Sequence, residues 1–271
     1  ASEIREDIVG VLDTGGCAGR IVTGQSSRTG GLIAGRAIEK AVELALNHKV
    51  AGIVTAPVSK KSLYLAGYGM VGHTELISKL TATKHYAMMM VAGKTRIIFA
   101  TTHLPIREIS AHLDKKTLVT KIVLAHRYLA LYLGIKKPKL GICCLNPHCG
   151  EDGGLGTEEV RVIKPAVKIC RRKGIAIDGP FPADSIFERD TARQFDGIIA
   201  MYHDQGMIPV KIRGLNRVVN VTIGIPIVRT SPGHGTAFDI AGKGVASEDG
   251  MVQALLECKR IVQRLKHANR I

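Results

Sequence analysis

The sequence predicts an α/β fold with both faces of its sheet covered. Short apolar, β-branched runs alternate along the chain with segments whose apolar residues recur at helical spacing. At 271 residues and 45% hydrophobic the chain can bury a substantial core, as one large domain or two joined lobes. Aromatics make up only 4% and Trp is absent, so that core must be built from Val, Ile, Leu, Ala and Met. No internal repeat or low-complexity segment interrupts the pattern.

Each element can be justified in order. From Gly31, "LIAGRAIEKAVELAL" has helical spacing, and "VAGIVTAPVSK" then gives a short strand that stops at Pro57. A second helix starts near Thr74, with Glu75 in its first turn, where a carboxylate suits the helix dipole. "HYAMMMVAG" and "TRIIFATTH" read as antiparallel strands joined by a turn at Gly93. A long helix from Thr117 to Leu133 precedes the strand "KLGICCL" and the polar loop "NPHCGEDGGLG". "TEEVRVIKPAVKICRRKG" reads as one helix, followed by a short strand near Ile175 and the segment "GPFPADSIF". "FDGIIAMY" and "RVVNVTIGI" read as strands, a glycine-broken helix begins near His234, and an outer helix runs from Gly250 to Leu265.

Charge narrows the class of partner. Lys and Arg number 38 against 23 Asp and Glu, a formal charge of +15, which favours anionic partners. The basic residues are dispersed, and the clusters "KKPK" and "RRK" follow helical patterns, so a small phosphorylated or carboxylated substrate fits better than nucleic acid. A basic nucleic-acid-binding module stays the alternative of a different class. Cys17, Cys143, Cys144, Cys149, Cys170 and Cys258 form no CxxC pair, so free thiols in a reducing, cytoplasmic setting are expected. No signal-peptide pattern opens the chain and no apolar run is long enough to span a bilayer.

The polar residues that matter fall at or beyond the carboxyl ends of predicted strands, where open α/β sheets bind ligands: His103, Asn146, His148, Asp184, His203 and Asn220. His103, His148 and His203 share this setting, which suggests three imidazoles around one divalent ion, although long spacings leave their convergence open. Asp204 beside His203 can orient that ring or simply make a turn contact. His73 and Thr74, just before a predicted helix, suit anion binding, and Thr74 is equally suited to cap the helix. Lys211, Asn220 and Arg229 form a second group for a carboxylate or phosphate, with Lys211 equally readable as a solvated loop charge. No GxGxxG, P-loop or GxSxG pattern is present.

Taken together, "TAPVSK", "GHTE", "TTHLP", "LNPHCGEDGGLGTEE", "GPFPAD", "MYHDQGMIPVK" and "NVTIGIPIVRTSPGHGTAFDIAGKG" resemble, in order, the 4-hydroxythreonine-4-phosphate dehydrogenase family, the PdxA-like enzymes. That resemblance implies two α/β/α lobes with a cleft between them, similar to isocitrate and isopropylmalate dehydrogenases. It implies His103 and His148 from one subunit and His203 from a homodimer partner as ligands of a divalent metal, zinc first, with magnesium or cobalt as alternatives. His73, Thr74, Asp184, Lys211, Asn220 and Arg229 match substrate positions. Lys211 is implied in proton transfer or substrate charge, with Asp204 supporting.

By the same resemblance, NAD oxidises the C3 alcohol of 4-phosphooxy-L-threonine, and decarboxylation follows, on the route to pyridoxal phosphate. Relatives also act on 4-phospho-D-threonate or 4-phospho-D-erythronate. Two departures stand out. Such enzymes open with a segment like "GDPAGIGPE", and the given sequence starts past it, from which a weakened lobe or cofactor site is expected. Gly233 stands where many relatives carry Asp, from which altered hydrogen bonds or nucleotide contacts are expected.

Overall fold

The computed structural model describes residues 9–15, 19–214 and 217–268. Its strands are β1 (Ile53–Val54), β2 (Ala87–Ala92), β3 (Thr95–Phe99), β4 (Lys139–Cys143), β5 (Ala176–Phe181), β6 (Gly197–Ala200), β7 (Val219–Ile223) and β8 (Arg229–Pro232). The helices are α1 (Arg28–Leu46), α2 (Lys60–Leu65), α3 (His73–Leu80), α4 (Ile109–His112), α5 (Lys115–Leu131), α6 (Lys164–Arg172), α7 (Ala183–Ile186), α8 (Arg189–Ala192), α9 (His203–Gly214) and α10 (Asp249–His267). All eight strands join one mixed sheet in the order β1-β8-β7-β2-β3-β6-β4-β5.

The hairpin around Gly93 is the centre of this sheet, with Met89 opposite Ile98 and Val91 opposite Arg96. Side chains alternate across it. Met89, Val91 and Ile98 point to one face, while Met90, Ile97 and Phe99 point to the other. Helices α5, α6 and α10 cover the first face through Leu118, Ile122, Val167 and Ile261. Helix α9 covers the second through Met207 and Val210, and Ile186 of α7 and Ala192 of α8 pack beside β4 and β6. At the β1 end, α1 and α3 bury Ile38, Val42, Leu76 and Ile77 against Ile53, Ile225 and Ile227.

Strand direction fixes where a site can form. β3, β6, β4 and β5 are mutually parallel, so their carboxyl ends share one edge. β2 runs antiparallel to both β3 and β7, and β8 runs antiparallel to β7 and parallel to β1. The starts of β1, β2 and β8 therefore lie at the same edge as those four carboxyl ends.

Three sequence expectations are corrected. The segment read as one helix from Thr157 opens with a π turn, Glu159–Ile163, before α6. Pro165 lacks the N–H that would bond the Arg161 carbonyl, so the helix widens ahead of it. No helix begins near His234: residues 234–248 form a loop with one 3-10 turn, Phe238–Ile240, because Ala237, Gly242 and Gly244 all take positive φ. Finally, Lys211 lies on a helix, α9, that was not anticipated. Its internal Pro209 obscures the helical signal.

Helix α1 crosses α2 at Gly31, where a Cβ would stand 1.9 Å from the Ser62 carbonyl oxygen. Ser27 N–H also donates to Ser62 Oγ at 3.2 Å, so the two helices are locked at backbone distance. Gly31→Ala is expected to destabilise the protein by about 3 kcal/mol through this overlap. A lowered urea midpoint with an unchanged m-value would show it, and an unchanged midpoint would mean that the helices separate freely.

Candidate active site

Four parallel strands each deliver a singled-out residue to one edge. His103 follows β3, His203 opens α9 after β6, His148 follows β4, and Asp184 lies in α7 after β5. Given the strand order, these stand on successive strands. Neighbouring strands are about 4.8 Å apart, and the rings of His103 and His203 have centroids 5.7 Å apart. Within one chain His103 and His203 thus lie side by side, and His148 follows a strand one place further from β3. Thr102, Leu104, Ile109 and Tyr202 complete a cleft of about 150 Å³ around this pair.

Carboxylates set the orientation of two of these rings. His203 Nδ1 lies 2.6 Å from Asp204 Oδ1, and His148 Nδ1 lies 2.9 Å from Glu151 Oε1. An ionised carboxylate only accepts, so each Nδ1 is the donor and Nε2 is the ring nitrogen left for a metal. Burial, and after it the Lys60 charge, lower the proton affinity of His103. The donor chemistry fits a borderline divalent ion. Geometry within one chain supplies only part of the set: among the described residues, no group of three His, Cys, Asp or Glu side chains is arranged to hold a metal.

Arg229, at the start of β8, is 2% exposed. Its Nη2 and Nε donate to Thr55 Oγ1 at 2.7 and 3.2 Å, and its Nη1 donates to Thr222 Oγ1 at 3.1 Å. Burial pulls its pKa down to about 10, with Glu75 acting in the opposite direction, so the guanidinium stays charged at neutral pH. Its hydrogen-bond partners are hydroxyls, and among the described residues no carboxylate lies at ion-pair distance. His73, the first residue of α3, is lowered to about 4 by burial and then by Arg229, against a smaller pull from Glu75. A neutral imidazole, a fixed cation and the Thr74 hydroxyl on α3 thus cluster where an anionic group can be bound.

The loop that carries His148 has unusual backbone geometry. His148, Cys149, Gly150, Glu151 and Asp152 all lie in the left-handed region, with φ between 41° and 76°. That conformation costs about 1–2 kcal/mol per non-glycine residue. A fully buried carboxylate, Glu159, braces the loop: Oε1 accepts from Leu145 N at 2.7 Å and Asn146 N at 2.8 Å, and Oε2 accepts from Asn146 Nδ2 at 2.9 Å. The sequence reading missed Glu159, Glu151, Thr55 and Thr222. The "NPHCGEDGGLGTEE" run contained the first two, but nothing in it told a brace from a solvated acid.

The other sequence-selected residues are more spread out. Lys211 is exposed on α9, eight residues and about 12 Å of helix beyond His203. Asn220 lies near the start of β7, not at a carboxyl end as expected, because the strand spans Val219–Ile223. It shares a face with Thr222, and its Oδ1 is buried without a hydrogen-bond partner. Asp184 is exposed in α7. At Gly233, a Cβ would lie 2.9 Å from the Val218 carbonyl oxygen, so the start of β7 has closed against a residue without a side chain. No helix among the described residues is long and apolar enough to cross a membrane.

An α/β sheet edge that gathers carboxylate-oriented imidazoles beside a buried guanidinium is suited to bind a small anionic group. Residues 2–258 match the family described as pyridoxal phosphate biosynthetic protein PdxA, and the chain belongs to that family of dehydrogenases. It is 43% identical over 243 residues to the D-threonate 4-phosphate dehydrogenase of Cupriavidus necator, covering 89% of this chain and 72% of that one. It is 42% identical over 234 residues to the 4-hydroxythreonine-4-phosphate dehydrogenase of Desulforapulum autotrophicum, covering 86% and 68%. The crystal structure of 4-hydroxythreonine-4-phosphate dehydrogenase from Klebsiella pneumoniae superposes with a TM-score of 0.81 at 41% identity, covering 89% and 73%.

The depressed His73 carries a pH signature. An unperturbed imidazole titrates near 6.5, whereas His73 titrates near 4, so between these values the unfolded chain binds a proton that the folded chain refuses. Stability is therefore complete above pH 6.5 and falls as pH drops towards 4, by about 3 kcal/mol from this group. His73→Asn is expected to flatten that part of the stability–pH curve measured by urea denaturation. An unchanged acid slope would refute the assignment.

Proposed function

We propose that the enzyme oxidises 4-phosphooxy-L-threonine at its C3 alcohol and then decarboxylates the product, using NAD and a divalent metal, in pyridoxal phosphate biosynthesis. The observation that carries this reading is the buried Arg229 guanidinium, held by hydroxyls beside a neutral His73, at the same sheet edge as the His103–His203 pair. A phosphate or carboxylate on Arg229 places the carbon chain along that edge, towards the imidazoles. C3 loses a hydride and its hydroxyl loses a proton, giving a β-keto acid. The C1–C2 bond then breaks, CO₂ leaves, and the electron pair left at C2 is shared with the C3 oxygen until C2 takes up a proton.

His103, His203 and His148 would hold the metal, zinc first and magnesium or cobalt as alternatives, and when bound it supplies Lewis-acid stabilisation of charge at the C3 oxygen. NAD supplies the hydride acceptor. Asp204 holds the proton of His203 at Nδ1 and fixes the ring. Lys211 and Asn220 lie down the α9 face of the sheet, and a homodimer would bring a second copy of that face towards the site. Lys211 then serves in proton transfer or substrate charge, with Thr74 and Asp184 as further substrate contacts.

The same chemistry on 4-phospho-D-threonate or 4-phospho-D-erythronate is the second reading, supported by the 43% identity to the Cupriavidus necator enzyme. Incubating zinc-loaded protein and NAD separately with the three acids decides between them. NADH and CO₂ are expected from 4-phosphooxy-L-threonine, and turnover of the sugar acids alone would replace the first reading with the second.

The metal arrangement has its own test. If His103 and His203 of one chain join His148 of a partner, mixed dimers of His103→Ala and His148→Ala contain one intact site of two. Mixing these inactive variants is expected to restore activity, whereas mixing His103→Ala with His203→Ala is not. The reverse pattern would show that His103 and His148 act from the same chain.

A further inference from the structure

We infer that Lys60, the first residue of α2, is a further substrate-positioning cation of this site, binding an oxyanion group of the substrate beside His73 and Thr74. This rests on the proposed phosphorylated hydroxy-acid substrate. The residue belongs to the "TAPVSK" stretch, to which the sequence reading gave no role. Its placement is fixed on both sides. Ser59 caps α2 by accepting from Ser62 N at 3.1 Å, Ser59 Oγ meets Ser26 Oγ at 2.9 Å, and Gly31 brings α1 against the Ser62 backbone.

From that base the side chain leans over the start of α3. Its Cε lies 3.3 Å and its Nζ 4.0 Å from the point where a Cβ on Gly72 would stand, immediately before His73 and Thr74. Lys40, Lys139 and Lys164 each pair with a carboxylate, whereas among the described residues Lys60 has none within ion-pair distance, although Glu75 lies nearby. Glu75 is already engaged, accepting from Gly72 N at 2.9 Å. Lys60 therefore stands over the start of α3, beside His73 and Thr74.

A substrate with a phosphate at one end and a carboxylate at the other needs two cationic contacts flanking the reacting carbon. Arg229, held rigidly by Thr55 and Thr222, supplies one, and Lys60, a point charge on a flexible stem, supplies the other. The ammonium touches only the anionic group in this arrangement, so its contribution is to binding that persists unchanged into the transition state.

The test uses Lys60→Met, which keeps the stem without the charge, and Lys60→Arg, which restores the charge. For whichever of the three acids the enzyme oxidises, Lys60→Met is expected to raise KM on the order of 10- to 100-fold with kcat held within about threefold, and Lys60→Arg to recover most of the loss. Inorganic phosphate and malonate, titrated calorimetrically into both variants, distinguish the group bound: only the matching anion loses affinity in Lys60→Met. Unchanged KM and unchanged binding of both anions would overturn the inference, as would a fall in kcat alone. If the wild type turns over none of the acids, the substrate reading fails, while the anion titrations still decide the role of Lys60.

Discussion

The buried charge of Arg229 is the constraint on which the rest of the site depends. A guanidinium taken out of water carries a desolvation cost of several kcal/mol, and two threonine hydroxyls offset only part of it. The sheet tolerates this because Thr55 follows β1 and Thr222 lies in β7, on either side of Arg229 in β8, so donors and acceptors are fixed by strand register. After burial, the larger cause, the same charge also lowers the proton affinity of the His73 imidazole. An anionic group placed beside this guanidinium would offset part of that desolvation cost.

A second buried charge, Glu159, works in the opposite way. It is fully satisfied by N–H groups of Leu145 and Asn146, and so ties down the entrance to the left-handed turn that carries His148. Arg229 is held by hydroxyls alone, Glu159 by N–H donors alone. The two lie on opposite sides of the histidine pair along the strand order.

Much of the fold was legible because apolar periodicity reports burial directly. The Gly93 hairpin, the helix at Thr74, the long helix before β4 and the terminal helix all have apolar residues at spacings that only one element satisfies. β8 and α9 were not legible. The first is a short, polar strand ending in Pro232, and the second carries Pro209 and Gly206 within its length. At the site, histidines at strand ends could be found because strand ends are readable. Their pairing could not, since it follows from strand order, and β6 lies between β3 and β4 although it is formed later in the chain than either. Thr55 was hidden for a related reason: its partner, Arg229, lies 174 residues away in sequence.

The Thr55–Arg229 bond joins residues 174 apart in the chain. Closing a loop of that length is entropically costly before any contact rewards it, and β1 has only β8 to pair with in the sheet. The anion cluster therefore sits on the most sequence-remote pairing of the sheet, unlike the hairpin at its centre, which is encoded locally. Burying this charge and closing the sheet's edge are one event here, because Arg229 is the β8 residue that pairs with the first residue of β1.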